Sequence, residues 1–294
     1  MAPVTRIVLL ASVVVTTPLS GQNMGSADVD ALPAASPTLI QNYGTDSLQF
    51  GELRLPSGLG PFPVAVVIHG GCWTKGYATL RNTAPLATAL AEHGVATWNI
   101  EYRQIGDPGS GWPGTFQDWG AGFDHLRELA KTYPIDTARA FVLGHSAGAH
   151  AALFVAARPK LEASSQIRGQ TPLRAAAAVA IDGPGDIKGM IGRDEEVCGR
   201  AVIIPLMGGA PEAAPDRYRD ASPFEILPIN VPQYLIASAV MTVDEANRYR
   251  DRAVSGGDVV AIFAPVGGGH FDIIAPGSAV WQSIESFILH ALLG

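Results

Sequence analysis

Ala140-Phe141-Val142-Leu143-Gly144-His145-Ser146-Ala147-Gly148 decides how this chain is read: four apolar residues, then G-x-S-x-G, then a helical stretch from Ala147 to Ala157. A continuous apolar run of this length suits a strand buried on both faces, as in a parallel sheet. A serine between such a strand and a helix sits on a strained turn that lifts its hydroxyl above the sheet edge. The flanking glycines are needed there because side chains would collide with neighbouring backbone. A bare G-x-S-x-G also arises by chance, as a Gly-rich helix cap. The strand-turn-helix placement makes Ser146 the candidate nucleophile.

A nucleophilic serine needs two further things, and the sequence offers candidates for both. One is a base within hydrogen-bond reach. His270, in Gly267-Gly268-Gly269-His270-Phe271 between the last strand and the last helix, stands late in the chain, where the order Ser, acid, His requires it. His145 and His150 lie too close to Ser146 in sequence to face its hydroxyl. His93, His125 and His290 fall on predicted helices or their ends, so these five read as structural or exposed. The other need is a set of donors for the negative charge that acyl transfer develops on the carbonyl oxygen. Val64 to Ile68 reads as a second buried strand, and His69-Gly70-Gly71-Cys72-Trp73 follows it. The N–H groups of Gly71, Cys72 and Ala147 are the oxyanion-hole candidates, with His69 as a brace for the loop. A tight strand-ending turn is the plainer alternative.

Working outward, strands are expected at Val95 to Ile100, Ala175 to Ile181, Tyr234 to Ala237 and Val259 to Phe263. Helices are expected over 83–92, 116–131, 244–254 and 278–292. Such alternation is the signature of an α/β fold, with a mostly parallel central sheet flanked by helices. Ser47 to Leu55 alternates like a half-exposed edge strand, and the domain is expected over 46–294. Residues 28–45, rich in small residues and proline, read as a loose leader. Residues 183–232, dense in Gly and Pro, read as a lid or cap excursion from the same domain. There is no internal repeat.

His-Gly-Gly-x-Trp at 69–73, Gly-His-Ser-Ala-Gly at 144–148, Asn99-Ile100-Glu101-Tyr102-Arg103 and the late Gly269-His270 together resemble the α/β-hydrolase esterase families. Within these the chain is similar to the kynurenine formamidase-like and bifunctional feruloyl/acetylxylan esterase-like branch, over roughly residues 46–292. The resemblance implies the α/β-hydrolase fold and a cofactor-free hydrolase of small-molecule carboxylic esters or amides. The chain departs from the pattern at the third triad member. Such families carry a D-x-x-V-P-like turn after the strand placed here at Tyr234 to Ala237, whereas this segment reads Ser238-Ala239-Val240-Met241-Thr242-Val243-Asp244-Glu245. Asp244 is the first carboxylate and the leading candidate, although it also reads as a helix N-cap. Asp182, after the preceding strand, is a geometrically sensible substitute, and Glu245, another group or no acid at all are further options; the last would make the chain a non-catalytic binding protein that retains the hydrolase fold.

Composition narrows the partners. With 27 acidic against 20 basic residues the net charge is −7, which offers nothing to nucleic acid or to anionic membrane surfaces. No H-E-x-x-H or clustered His/carboxylate spacing suggests a metal. Arg6, the apolar run Ile7 to Val15, and the breakers Pro18, Ser20 and Gly21 resemble a signal peptide, too short for a membrane span. Cleavage is expected after Ala27, with Ser20 or Gly21 as the rival, and the protein is expected to be exported. Cys72 and Cys198, the two cysteines, are expected to be reduced and unrelated. Export would permit a bridge, which would tie a loop of the site to the excursion. Trp98 and Trp119 read as core. Trp112, in a predicted loop, is a candidate for an acyl or aromatic pocket, with Met190, Ile191, Met207 and Phe224 of the excursion as further candidates.

Overall fold

A computed structural model describes residues 23–294 of the protein. Eight strands form one sheet: β1 (Leu39–Asn42), β2 (Phe50–Arg54), β3 (Phe62–Ile68), β4 (Ala96–Ile100), β5 (Ile135–His145), β6 (Ala178–Ile181), β7 (Gln233–Ile236) and β8 (Val260–Phe263). Their order is β1-β2-β4-β3-β5-β6-β7-β8. The β1/β2 and β2/β4 pairs are antiparallel and all the others parallel. The apolar run of β3 lies at the centre between β4 and β5, and its side chains alternate as a pleat requires. Val64, Val66 and Ile68 join one apolar layer, while Ala65 and Val67 join the other.

Helices α1 (Ser26–Ala31), α2 (Ala84–Glu92) and α11 (Trp281–Leu293) contribute to the layer that holds Ala65. Helices α3 (Gly114–Asp124), α4 (Leu126–Leu129) and α5 (Ala147–Ala157) contribute to the opposite one. Every residue of α5 is buried, as a helix apolar on all sides must be. The expected helix over 116–131 is thus interrupted at His125. Helix α10 (Val243–Ser255) starts with a capping box in which Thr242 and Glu245 satisfy each other's backbone N–H. Among the described residues no helix is long and apolar enough to cross a membrane.

Three sequence expectations change. The edge strand is β1, and β2, expected at the edge, is covered on both sides. The segment expected as a loose leader carries α1 and β1, because Val29 is fully buried in the same apolar layer as Leu86 and Ile273. The excursion at 183–232 breaks into α6 (Arg193–Cys198), α7 (Ile203–Met207), α8 (Pro215–Ala221) and α9 (Pro223–Ile226). Its Ile187, Met190, Ile203, Leu206 and Met207 are buried in the main core, so it packs as part of the body. The signal peptide expected over residues 1–27 lies, up to residue 22, outside the described residues; Ser26 and Ala27 open α1.

Candidate active site

The turn between β5 and α5 places Ser146 at φ 58° and ψ −120°. This left-handed backbone costs a non-glycine residue on the order of 1–3 kcal/mol, so the surroundings must hold it. They do so by close approach. A Cβ on Gly144 would run into the Gly148 carbonyl, and one on Gly148 into the carbonyls of Ile68 and His69. The Ser146 N–H donates to the Ile181 carbonyl at 2.9 Å, anchoring the turn to β6. Ser146 lines a cavity of about 170 Å³, together with His270, His145, Phe271, Gly71, Cys72, Tyr77, Ala78, Val197 and Ser26.

His270 and Ser146 therefore share one cavity, as expected, but the carboxylate that meets His270 is not that of Asp244. Nδ1 of His270 lies 2.7 Å from Oδ2 of Asp182, at the end of β6. Asp244 is exposed in the first turn of α10. The segment after β7, which lacks the expected aspartate, instead wraps around Asp182: its carboxylate accepts the N–H groups of Ser238, Ala239, Val240 and Met241 at 2.8–3.1 Å. Because β6 and β7 are parallel neighbours, their carboxyl ends lie side by side, and a carboxylate on one can fill the turn of the other. Burial alone raises the Asp182 pKa. The hydrogen bond and charge of His270, with the Met241 N–H, outweigh this and hold it below the ordinary carboxylate value. An ionised Asp182 accepting from Nδ1–H leaves Nε2 of a neutral His270 as the basic nitrogen.

His145 braces His270. A carbonyl only accepts, so the 2.8 Å contact between His145 Nε2 and the His270 carbonyl puts the proton on Nε2. The two rings lie 4.3 Å apart. Burial, followed by the neighbouring His270, lowers the His145 pKa to about 3, so its ring stays neutral. The sequence reading had set His145 aside; its place in the motif rules it out as the base but leaves it free to position the His270 backbone.

Across the cavity, Gly71, Cys72 and Trp73 all have positive φ, at 101°, 52° and 53°. Among the described residues the Gly71 and Cys72 N–H groups donate to no protein acceptor. Both line the cavity with Ser146, and Ala147, the residue after Ser146, opens α5. His69 is the loop brace expected. Its Nε2 is 2.7 Å from Glu101 Oε1, its Nδ1 is 2.8 Å from the Gly70 carbonyl, and its ring stacks on Tyr102 at 4.4 Å. The Tyr102 hydroxyl donates to the His69 carbonyl at 3.0 Å. Burial raises the Glu101 pKa, but the His69 charge and hydrogen bond outweigh it, so the carboxyl stays below its ordinary value. Glu101 and Tyr102 were visible in the sequence only as part of a motif, because their role depends on β4 lying beside β3.

The expectation of two unrelated cysteines is overturned: Cys72 and Cys198 form a disulfide with Cα atoms 5.9 Å apart. Proximity across 126 residues of sequence is a tertiary property that spacing does not reveal. Trp112 is not in the Ser146 cavity; it packs on Phe116 at 5.5 Å and borders a separate groove with Arg217 and Asp220. Met190 and Met207 are core. The apolar walls at Ser146 come from Tyr77, Phe271 and Val197, which the sequence had not singled out.

The BD-FAE family model matches residues 53–242. Esterase LipC of Mycobacterium tuberculosis is 26% identical over 249 residues, spanning 79% of this chain and 59% of the relative, so the chain spans well under two thirds of that protein's length. A truncated carbohydrate esterase from gut microbiota has a similar structure, with a TM-score of 0.72 at 21% identity, over 88% of this chain and 97% of that one. A bacterial heroin esterase gives 0.68 at 22% identity, over 90% and 86%. These likenesses give the sheet and its helices as the α/β-hydrolase fold.

Proposed function

Because this chain belongs to the BD-FAE family, we propose that it hydrolyses small carboxylic esters through an acyl-enzyme. Ser146 attacks the carbonyl, His270 Nε2 takes its proton, and Asp182 keeps Nδ1 protonated and offsets the charge of the imidazolium. The Gly71, Cys72 and Ala147 N–H groups receive the oxyanion. His270 then gives the proton to the leaving alkoxide, and water, activated by the same nitrogen, releases the acid.

The observation that carries this reading is the Asp182–His270 contact at the wall of the cavity that Ser146 lines. It also counts against a non-catalytic binding protein, the reading that the missing acid after β7 leaves open. The small cavity favours short acyl groups. Export is part of the proposal, supported by the apolar run at Ile7 to Val15 and by a disulfide, a bond that persists in oxidising compartments.

The test is labelling with a fluorophosphonate probe, with hydrolysis of p-nitrophenyl acetate followed in parallel. Both should occur in the wild type and vanish in Ser146→Ala. Folded wild-type protein that neither labels nor turns over would sink the proposal. An amide hydrolase is the second reading, since His270 could equally protonate a leaving amine. Faster turnover of formyl amides than of esters would favour it.

A further inference from the structure

We infer that Cys198 is a positioning residue for the oxyanion hole, acting through its disulfide to hold Cys72 in a backbone conformation that it would otherwise leave. The inference rests on the proposed hydrolase reading of Ser146 and concerns a residue far from the triad in sequence.

Gly71, Cys72 and Trp73 form three successive positive-φ positions, of which the first alone is the residue type suited to that region. A run of this kind persists only where its surroundings over-determine it. For Trp73 the restraint is packing: the side chain is 2% exposed and its ring meets His150 edge-on at 5.8 Å. For Cys72 the Thr74 hydroxyl, which donates to its carbonyl at 2.9 Å, holds one side of the peptide, and the covalent bond to Cys198, the last residue of α6, holds the side chain. The anchor is itself tied down. The Tyr77 hydroxyl donates to the Cys198 carbonyl at 2.8 Å, and the Arg200 guanidinium lies over the Tyr77 ring at 5.8 Å. Farther along, the Asp194 carboxylate accepts the N–H groups of Val202 and Ile203 at 2.7 and 2.9 Å, which closes the loop after α6. The bond thus joins a rigid support to the residue whose N–H faces no protein acceptor. Val197, the residue before Cys198, lines the same cavity.

Glycine adopts φ near 52° without penalty, and this separates positioning from mere tethering. In Cys198→Ala the loop is released while Cys72 keeps its β-carbon. We expect kcat on p-nitrophenyl acetate to fall about tenfold with KM within twofold, at unchanged far-UV circular dichroism. In Cys72→Gly/Cys198→Ala the bond is also absent, but residue 72 can keep its conformation, and most of the lost kcat should return. A loss smaller than fivefold in Cys198→Ala, or a double variant no faster than the single one, overturns the inference. If the single variant does not fold, the double one decides alone: a kcat of at least one fifth of wild type supports the inference and a lower value overturns it. Failure of both to fold also overturns it, since the bond would then serve the fold and not the loop. Absence of Ser146 labelling in the wild type is a separate result, which strikes the hydrolase reading itself.

Discussion

Asp182 carries two loads at once. It holds Nδ1 of His270 and it collects four backbone N–H groups from the turn after β7. Asp182→Asn should therefore lower kcat by roughly 10⁴, the loss seen when a triad acid is made neutral. It should also reduce stability by about 1–3 kcal/mol, since an amide nitrogen turned towards those donors leaves some of them unsatisfied. Asp244→Asn, at an exposed position, should leave kcat within twofold. Steady-state kinetics and urea denaturation of both variants check this pair of outcomes, and a large loss in Asp244→Asn would reverse the assignment.

At the scale of elements, the turn from β5 to α5 is legible in the sequence because its demands are local. An apolar run, two glycines and a following helix are enough to specify it. Gly148→Ala puts a methyl group against the carbonyls of Ile68, the last residue of the central strand β3, and of His69, the residue after it, backbone atoms that cannot move aside. The expected result is protein that is insoluble or melts far below wild type, measured by soluble yield and thermal denaturation. Helix α1 was not legible, because six residues rich in small side chains carry little periodic signal. Its order comes from contacts distant in sequence: Val29 in the core, and Asn82 donating to the Ser26 carbonyl and to Asp30 at 3.2 and 3.0 Å. Val29→Ala should cost roughly 2 kcal/mol from two lost methyl groups and the void they leave. Since Ser26 lines the Ser146 cavity, the same variant should raise KM more than it lowers kcat.

For the molecule as a whole, buried histidines set the response to acid. Burial lowers the His150 pKa to about 4, and burial followed by His270 lowers that of His145 to about 3. In the unfolded chain both titrate near 6.5. Between these values the unfolded state binds protons that the folded state refuses, so stability rises with pH across this window and falls as pH drops from about 6.5 towards 4. Each histidine contributes up to about 1.4 kcal/mol per pH unit there. Asp182 and Glu101, with lowered pKa values, add a further loss only as pH falls through the carboxylate range. Unfolding free energies measured by urea at pH 8, 7, 6 and 5 should be flat at the upper end and fall below about 6.5. A flat profile down to pH 5 would show that the two rings accept protons in the folded state.

The sequence by itself determined the central strands, the nucleophile turn, the late histidine and the glycine-rich loop. Each is written in a short window, where periodicity, backbone sterics and chain order act without help from distant residues. Tertiary structure alone decided the carboxylate that meets His270, the disulfide, the brace on His270 and the place of α1. In each case the deciding contact joins segments far apart in the chain. Asp182 meets His270 88 residues on because β6, β7 and β8 are successive parallel neighbours whose carboxyl ends share one edge of the sheet. Cys72 meets Cys198 because the 183–232 segment folds back onto the body. A side chain's identity limits what it can bind, and only the packed sheet and its loops determine which partner comes within reach.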